Sequence, residues 1–218
     1  FRDATATDTF YAAVFSSVEC LTFWLKTKEK DSYYQSLGSR NRDVFVCNQA
    51  ARYGNLEVFQ WAHKQGFQWN ESTGCEAARS GYLDILKYAH ANGCSWGEYT
   101  CQIAAGKGRL DILQYAHEEG CRWDAGACSE AAENGHLDVL KYLHEKYCPW
   151  YEDTWCRAAY GGHLEVLNYL HERGCPWNAQ ACACAAREGH LEVLKWLHEK
   201  GCPWDSRTIG YARHNGHT

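Results

Sequence analysis

The chain has 218 residues, of which 45% are hydrophobic and 14% are aromatic. This apolar content is sufficient for a buried core and argues against a disordered chain. The formal net charge is −5 and there is no block of basic residues, which argues against nucleic acid as a partner. No apolar run approaches the roughly 18 residues needed to span a bilayer, so we expect no direct membrane insertion.

The sequence contains 13 cysteines, an odd number. Most of them recur at fixed places within a repeating unit, so repetition explains their number better than a disulfide framework does. We therefore expect the protein in the cytoplasm or in another reducing intracellular compartment.

A period of 27 residues organises most of the chain and defines six complete repeats over residues 43–205. The interval is marked by one tryptophan in each repeat: Trp69, Trp96, Trp123, Trp150, Trp177 and Trp204. A fixed period of this length is typical of solenoid proteins, in which each repeat contacts its neighbours.

The N-terminal residues 1–42 are predicted to form a degenerate capping repeat with a polar insertion. Ala12 and Ala13, followed by Val18 to Leu21, align with Ala50 and Ala51, followed by Leu56 to Phe59. The offset exceeds the period, and the additional polar residues lie around Lys26 to Arg42. An atypical first repeat is what a water-facing end of a stack requires.

Residues 178–204 illustrate a complete repeat. Asn178 is a good N-cap for a short first helix that carries the pair Ala185-Ala186, and Gly189 suits a left-handed C-cap. The second helix is predicted from about His190 to Lys200, because its apolar residues follow helical spacing. Residues 206–218 begin one more, partial repeat.

Helix pairs as short as these cannot bury their apolar faces alone, so neighbouring pairs must stack. The sequence therefore predicts an all-α solenoid of about seven stacked helix-turn-helix repeats. The six tryptophans, one at each turn between repeats, have two interpretations: a stacking platform for a ligand, or a lid over the core. Their regularity favours the lid.

The run from Gly189 to Lys195, repeated nearly intact from Gly162 to Leu167, resembles the second-helix signature of ankyrin repeats. The repeat here is six residues shorter than the usual ankyrin unit. The missing residues fall where that family builds its projecting β-hairpin, and the turn from Gly174 to Trp177 stands in their place. This is similar to the short Cys-Pro-Trp subtype of ankyrin repeat seen in large DNA viruses and unicellular algae.

The resemblance implies an ankyrin-like solenoid without long β-hairpin fingers. It also implies a non-enzymatic scaffold or adaptor for protein–protein interaction, or a structural subunit of a larger assembly. A further possibility is an adaptor for ubiquitin ligation, although no F-box is recognisable in residues 1–42. No phosphate-binding loop, metalloprotease motif or serine nucleophile motif is found, so we expect neither enzymatic activity nor a cofactor.

Histidine and cysteine recur together, which leaves two interpretations open. A cysteine lies four residues after a histidine at the end of most second helices, and a further cysteine often follows seven residues later. As an alternative function these could form zinc-binding or redox-sensitive sites: His117, Cys121 and Cys128, and His171, Cys175 and Cys182. In the other interpretation, which we favour, the cysteines are small core residues, and the histidines hydrogen-bond a carbonyl or loop of the neighbouring repeat.

Positions that vary between otherwise similar repeats are the better candidates for contact with a protein partner. They cluster on the first helices, and arginine and aromatic residues among them are the usual interface anchors. Ordinary surface drift is the alternative explanation for any one of them. The predicted partner-binding residues are Arg79, Gln102, Lys107, Glu130, Trp155, Arg157, Tyr160 and Arg187.

Overall fold

A computed structural model describes residues 11–12, 14–28, 38–97 and 99–216. The chain divides into two compact units, Phe1–Thr100 and Cys101–Thr218. Fourteen helices and no strands occur in the described residues, which confirms the all-α fold class. The predicted polar insertion includes residues 29–37, which lie outside this described part.

In the described part of the first unit, we number five helices and the first residue of a sixth. These helices are α1 (Val18–Lys28), α2 (Gly38–Tyr53), α3 (Leu56–Lys64), α4 (Glu71–Ser80), α5 (Leu83–Ala91) and α6 (Thr100–Gly106). Helix α2 packs against α3 and α4, and α4 packs against α5. The unit thus consists of stacked helix pairs.

The second unit repeats the same arrangement. Its helices are the rest of α6, α7 (Leu110–Glu118), α8 (Ala125–Glu133), α9 (Leu137–Glu145), α10 (Glu152–Gly161), α11 (Leu164–Glu172), α12 (Ala179–Glu188), α13 (Leu191–Glu199) and α14 (Ser206–His214). The first helices α8, α10, α12 and α14 pack one against the next, and α8, α10 and α12 each pack against the second helix that follows. Short turns without strands join the repeats, as expected for a solenoid without β-hairpin fingers.

The ends of the helices follow from local hydrogen bonds. The side chains of Asp124, Asn178 and Asp205 each accept a hydrogen bond from the backbone N–H two residues later, at 2.8 to 2.9 Å. Gly189 ends α12 in the left-handed conformation at φ 76°, where its N–H donates to the carbonyl of Ala185. Helix α13 spans Leu191–Glu199, so the caps and both helices of this repeat are confirmed.

The first helices approach one another closely because alanine pairs occupy their contact face. In the second unit these alanines are fully or almost fully buried: Ala104, Ala105, Ala131, Ala132, Ala158, Ala159, Ala185 and Ala186. The second helices contribute the larger side chains, such as Val139, Leu140 and Leu143 of α9, all without solvent exposure. Small residues on one helix and large ones on its partner produce a well-filled core.

Histidine and tryptophan form one aromatic stack in each of the six repeats. The imidazole at the end of the second helix lies on the indole six residues later, with ring centroids 3.6 Å apart for His117 and Trp123 and 4.0 Å apart for His144 and Trp150. The other pairs are His63 with Trp69, His90 with Trp96, His171 with Trp177 and His198 with Trp204. The tryptophans therefore cover the turn of their own repeat.

Two hydrogen bonds from histidine to the backbone of a neighbouring repeat come from a different set of histidines than expected. His163 Nε2 lies 3.0 Å from the carbonyl oxygen of Glu133, and His190 Nε2 lies 2.8 Å from that of Tyr160. Both histidines precede a second helix. The expectation that the histidines at the helix ends make these bonds was wrong for His117 and His144, because stacking on tryptophan fixes their rings instead.

Among the described residues, no helix combines the length and the apolar character needed to cross a membrane.

Candidate protein-binding site

The first helices α8, α10 and α12 form a groove in the second unit, with a volume of about 400 Å³. Three of the predicted partner-binding residues, Arg157, Tyr160 and Arg187, lie together in it. The complete lining is Glu133, Asp153, Cys156, Arg157, Tyr160, Gln180, Cys184 and Arg187. We refer to these eight residues as the α10 groove.

Arg157 is held between carboxylates from two helices. Its Nη1 lies 2.6 Å from Glu133 Oε2 on α8, and its Nε lies 3.6 Å from Asp153 Oδ2 on α10 itself. The hydrogen bond to Glu133 is the main cause of a raised pKa of the Arg157 guanidinium. The side chain is 48% exposed, so solvent screens the pair and its main effect is to orient the guanidinium.

Tyr160 and Arg187 combine an anchored backbone with an exposed side chain. The Tyr160 carbonyl oxygen lies 2.8 Å from His190 Nε2, and the Arg187 carbonyl accepts a bond of 2.8 Å from Asn215 Nδ2. The Tyr160 side chain is 38% exposed, and Arg187 pairs with Glu188 at 3.4 Å on the helix surface. Their positions are thus set before any partner arrives.

Two thiols belong to the groove and were not predicted as site residues. Cys156 on α10 and Cys184 on α12 hydrogen-bond each other. This contact lowers the pKa of Cys184 to about 7, against the opposing effect of its burial, and it raises that of Cys156. The sequence could have indicated these two cysteines as variable positions. Cys156 stands where the preceding repeat has Ser129, and Cys184 stands where it has Arg157.

Four other predicted residues lie away from this groove. Gln102 and Glu130 are half-buried beside glycines of neighbouring helices: a Cβ on Gly126 would lie 3.2 Å from Gln102 Cδ, and one on Gly106 would lie 3.0 Å from Glu130 Oε2. Lys107 is exposed after α6. Arg79 belongs to the first unit, where it pairs with Glu76 at 3.5 Å. Their role in binding stays a prediction.

The prediction that Trp155 binds a partner was wrong, because this residue does not lie on the surface. Its side chain is 0% exposed, its Nε1 donates a 3.0 Å bond to the carbonyl of Cys175, and its ring packs 4.8 Å from that of Trp177. The equivalent cysteine in an earlier repeat, Cys101, directs its thiol at the carbonyl of Cys121 in the same way. Trp155 therefore fills a core position and cannot contact a partner.

The two sets of candidate zinc ligands do not converge. In the first set His117 stacks on Trp123, whereas the Cys128 thiol pairs with Cys148. In the second set His171 stacks on Trp177, the Cys175 thiol points to the Tyr151 carbonyl, and Cys182 pairs with Cys202. No group of three or more potential ligands is found in the part of the chain that the structure describes. The interpretation of Cys121, Cys128, Cys175 and Cys182 as small core residues is confirmed by their burial.

The turn that precedes α10 departs from the rules of the repeat. Tyr147 has φ 60°, a left-handed conformation that is taken by Gly120 and Gly174 at the equivalent turns, and it is 94% exposed. Tyr151 stands where Asp124 and Asn178 cap their helices, and it makes no capping hydrogen bond. These two departures are visible in the sequence, because one repeat lacks both the turn glycine and the polar N-cap residue.

Comparison with known proteins supports the repeat class. The family model for ankyrin repeats (many copies) matches residues 156–198. The crystal structure of the human ASB11 ankyrin repeat domain is similar, with a TM-score of 0.59 and 17% sequence identity over 72% of this chain and 84% of that chain. None of the curated protein sequences gives a significant match. Residues 156–198 therefore match the ankyrin-repeat family, and the fold of the chain is similar to that of an ankyrin repeat domain.

Proposed function

We propose that this chain is a scaffold or adaptor for protein–protein interaction and that the α10 groove is its main contact surface. Ankyrin repeats imply protein partners. The observation that carries the location is that Arg157, Tyr160 and Arg187 line one groove. Two departures from the rules of the repeat, Tyr147 and Tyr151, precede α10 in the chain. Such departures concentrate at functional sites.

Tyr147 and Tyr151 both lower the stability of the fold. A tyrosine in the left-handed conformation is strained by on the order of 1–3 kcal/mol, and loss of an N-cap costs about 0.5–2 kcal/mol. Tyr147 and Tyr151 are both strongly exposed, so burial does not offset these costs. Contact with a partner would explain why exposed tyrosines occupy the turn and the N-cap position.

The α10 groove contains both charged and aromatic groups. Its lining includes the two guanidinium groups of Arg157 and Arg187, the phenol of Tyr160, and the carboxylates of Glu133 and Asp153. Arginine and tyrosine are the residue types that most often dominate interface energies. Opposite charges side by side favour a protein segment that offers both donors and acceptors over a uniformly charged polymer.

The groove is partly preorganised. Ion pairs orient Arg157 and Arg187, and hydrogen bonds fix the backbone at Tyr160 and Arg187, which reduces the entropic cost of binding. A volume of about 400 Å³ is at the lower end of the range for ligand pockets. It suits a few side chains of a docked protein.

The test is a comparison of proteins captured from an extract of the native source. The bait is the full chain, the groove variant Arg157→Ala/Tyr160→Ala/Arg187→Ala, or a control variant Leu191→Ala/Lys195→Ala/Glu199→Ala on the exposed face of α13. We expect the wild type and the control to retain one partner at a fixed ratio and the groove variant to lose it. Equal retention by all three baits would exclude the groove as the contact surface.

A second measurement locates the contact directly. A photo-crosslinking amino acid is introduced at Tyr160 in one sample and at Leu191, which is exposed on α13, in another. The proposal predicts a covalent adduct with the captured partner from position 160 and none from position 191. The reverse result would place the contact surface on the second helices.

A further inference from the structure

Cys156 and Cys184 differ from the other hydrogen-bonded thiol pairs in the second unit because they line a groove. The Cys156 side chain is 8% exposed, Cys184 is half-buried, and both contribute to the wall of the α10 groove. By contrast, Cys182 and Cys202 also hydrogen-bond each other, at exposures of 0% and 4%, but neither lines this groove. Small molecules that enter the groove therefore reach Cys184 and not Cys182.

The surroundings of Cys184 favour its thiolate. The hydrogen bond from Cys156 is the largest influence that lowers the pKa of Cys184, burial opposes it, and Gln180 and Arg187 lower it further. Gln180 Nε2 lies 4.0 Å from the sulfur. The hydrogen bond to Cys184 and burial raise the pKa of Cys156, and Asp153 and Glu152 raise it further, so Cys156 is protonated while Cys184 is a thiolate. The pair thus consists of one nucleophilic sulfur and one neighbouring thiol that donates to it.

We propose that Cys184 and Cys156 form a thiol–disulfide exchange site that reacts with small disulfides bearing carboxylates. The Cys184 thiolate attacks one sulfur of the disulfide, forms a mixed disulfide with it, and releases the other half as a thiolate. Cys156 then loses its proton, and its thiolate attacks the Cys184 sulfur of the mixed disulfide. The second half of the small disulfide departs as a thiolate and takes up the proton, and a Cys156–Cys184 disulfide forms. The two cysteines are oxidised by two electrons, and the small disulfide is reduced to two thiols.

The preference for carboxylates follows from the arginines of the same groove. Arg187 and Arg157 line the same groove as the two cysteines, and a guanidinium binds a carboxylate through charge-assisted hydrogen bonds. Asp153 and Glu133 already neutralise Arg157. Arg187, whose acidic neighbour Glu188 lies outside the groove lining, is thus the better anchor for the incoming anion.

Oxidised glutathione is the probe that tests the proposal on the full chain. After incubation at about pH 7.5, above the lowered pKa of Cys184, the remaining thiols are alkylated and the peptides are identified by mass spectrometry. We expect a Cys156–Cys184 disulfide in the wild type. Cys156→Ser retains a hydroxyl donor but cannot resolve the intermediate, so it should accumulate glutathione on Cys184. Cys184→Ser should leave Cys156 unmodified.

Controls separate this site from general thiol exposure. Cys20 is exposed and Cys75 is half-buried, so both report ordinary reactivity within the same sample. Arg187→Gln should slow the reaction with oxidised glutathione several-fold more than the reaction with uncharged hydroxyethyl disulfide, because the second reaction loses only the effect of Arg187 on the pKa of Cys184. Modification of Cys20 or Cys75 ahead of Cys184, or unmodified Cys184 in Cys156→Ser, would overturn the proposal.

The exchange chemistry goes beyond the proposed function and does not depend on it, because oxidised glutathione reacts in the absence of any partner. Partner capture and disulfide formation are therefore measured separately. A groove variant that loses its partner but still forms the Cys156–Cys184 disulfide would show that the two roles are distinct. If partner capture fails while the disulfide forms, the binding proposal fails and the thiol proposal stands.

Discussion

Residues 120–133 and 147–160 occupy equivalent positions in successive repeats, yet they meet the demands of the fold differently. The first segment has a glycine at its turn, Gly120, and an aspartate cap, Asp124. The second has Tyr147 and Tyr151 at those places, with a left-handed φ of 60° for Tyr147 and no side-chain cap at Tyr151. Helices α8 and α10 nevertheless form alike. Stacking against neighbours therefore tolerates local sequence choices that would weaken an isolated helix.

One buried position, occupied by Cys128 in the first segment and by Trp155 in the second, accepts side chains of very different volume. Cys128 and Trp155 are both 0% exposed although they differ greatly in size. The indole of Trp155 fills the space between its repeat and the next, close to Trp177 and Trp196. The second segment therefore combines a larger buried side chain with a less favourable turn and helix cap at the surface.

The largest expected effect comes from removal of that side chain. Trp155→Ala should lower the free energy of unfolding by about 3–5 kcal/mol, because a large buried side chain is replaced by a cavity. It also loses the bond from Nε1 to the Cys175 carbonyl. Cys128→Ala, the matched substitution in the first segment, should cost about 1 kcal/mol. Urea unfolding followed by circular dichroism measures both, and equal losses would refute the larger contribution of Trp155.

The turn provides the next test, with the opposite sign. Tyr147→Gly should raise the free energy of unfolding by about 0.5–1 kcal/mol, because relief of backbone strain exceeds the entropic cost of glycine. The side chain is 94% exposed, so its loss removes little packing. Thermal unfolding is the measurement, with Gly120→Tyr as the reciprocal variant, which should be destabilised. A lower melting temperature for Tyr147→Gly would contradict the assignment of strain.

The cap gives a smaller gain. Tyr151→Asn should stabilise the chain by about 0.5–1 kcal/mol, since asparagine at this position can accept a bond from the first turn of α10, as Asn178 does for α12. The same urea series measures it, and Asn178→Ala should lose a comparable amount. If Tyr147→Gly and Tyr151→Asn stabilise the chain and also weaken partner capture, the two tyrosines are shown to exchange stability for binding.

The repeat length and the helix ends could be predicted because they depend on local chemistry. A polar N-cap such as Asn178 and a left-handed glycine such as Gly189 act within a few residues, and both recur at the period of the repeat. The same periodicity predicted that most cysteines are core residues. Groove residues Arg157, Tyr160 and Arg187 were found because variable positions on stacked helices face the same side.

The remaining features depend on contacts that do not follow the period. Trp155 was assigned to the surface because it varies between repeats, but variation also occurs where a large side chain replaces a small one in the core. Cys156 and Cys184 are separated by one residue more than the repeat length, so a search for equivalent positions does not pair them. The sequence also does not show which histidines bond a backbone carbonyl and which stack on tryptophan, because this depends on which group lies nearest to each ring in the folded chain.

The smallest expected effect concerns the aromatic stack that connects the two segments. Burial is the main cause that lowers the pKa of His144, Arg173 lowers it further, and Glu145 opposes the shift. The His144 ring stacks on Trp150 and meets Tyr169 of the next repeat edge-on, with centroids 6.1 Å apart. Below about pH 6.5 the unfolded chain therefore takes up a proton that the folded chain resists, and stability falls as the pH decreases towards the folded pKa.

Urea midpoints at about pH 7.5 and 5.5, on either side of the ordinary histidine pKa, measure the size of this loss. His144→Gln should lose less stability between the two values than the wild type, because the titrating group is absent. Arg173→Gln should lie between them, because it removes the cation that disfavours the imidazolium and leaves the burial. An unchanged loss in His144→Gln would show that acid weakens the chain elsewhere. In that case the stack contributes to packing between the repeats but does not make their association sensitive to pH.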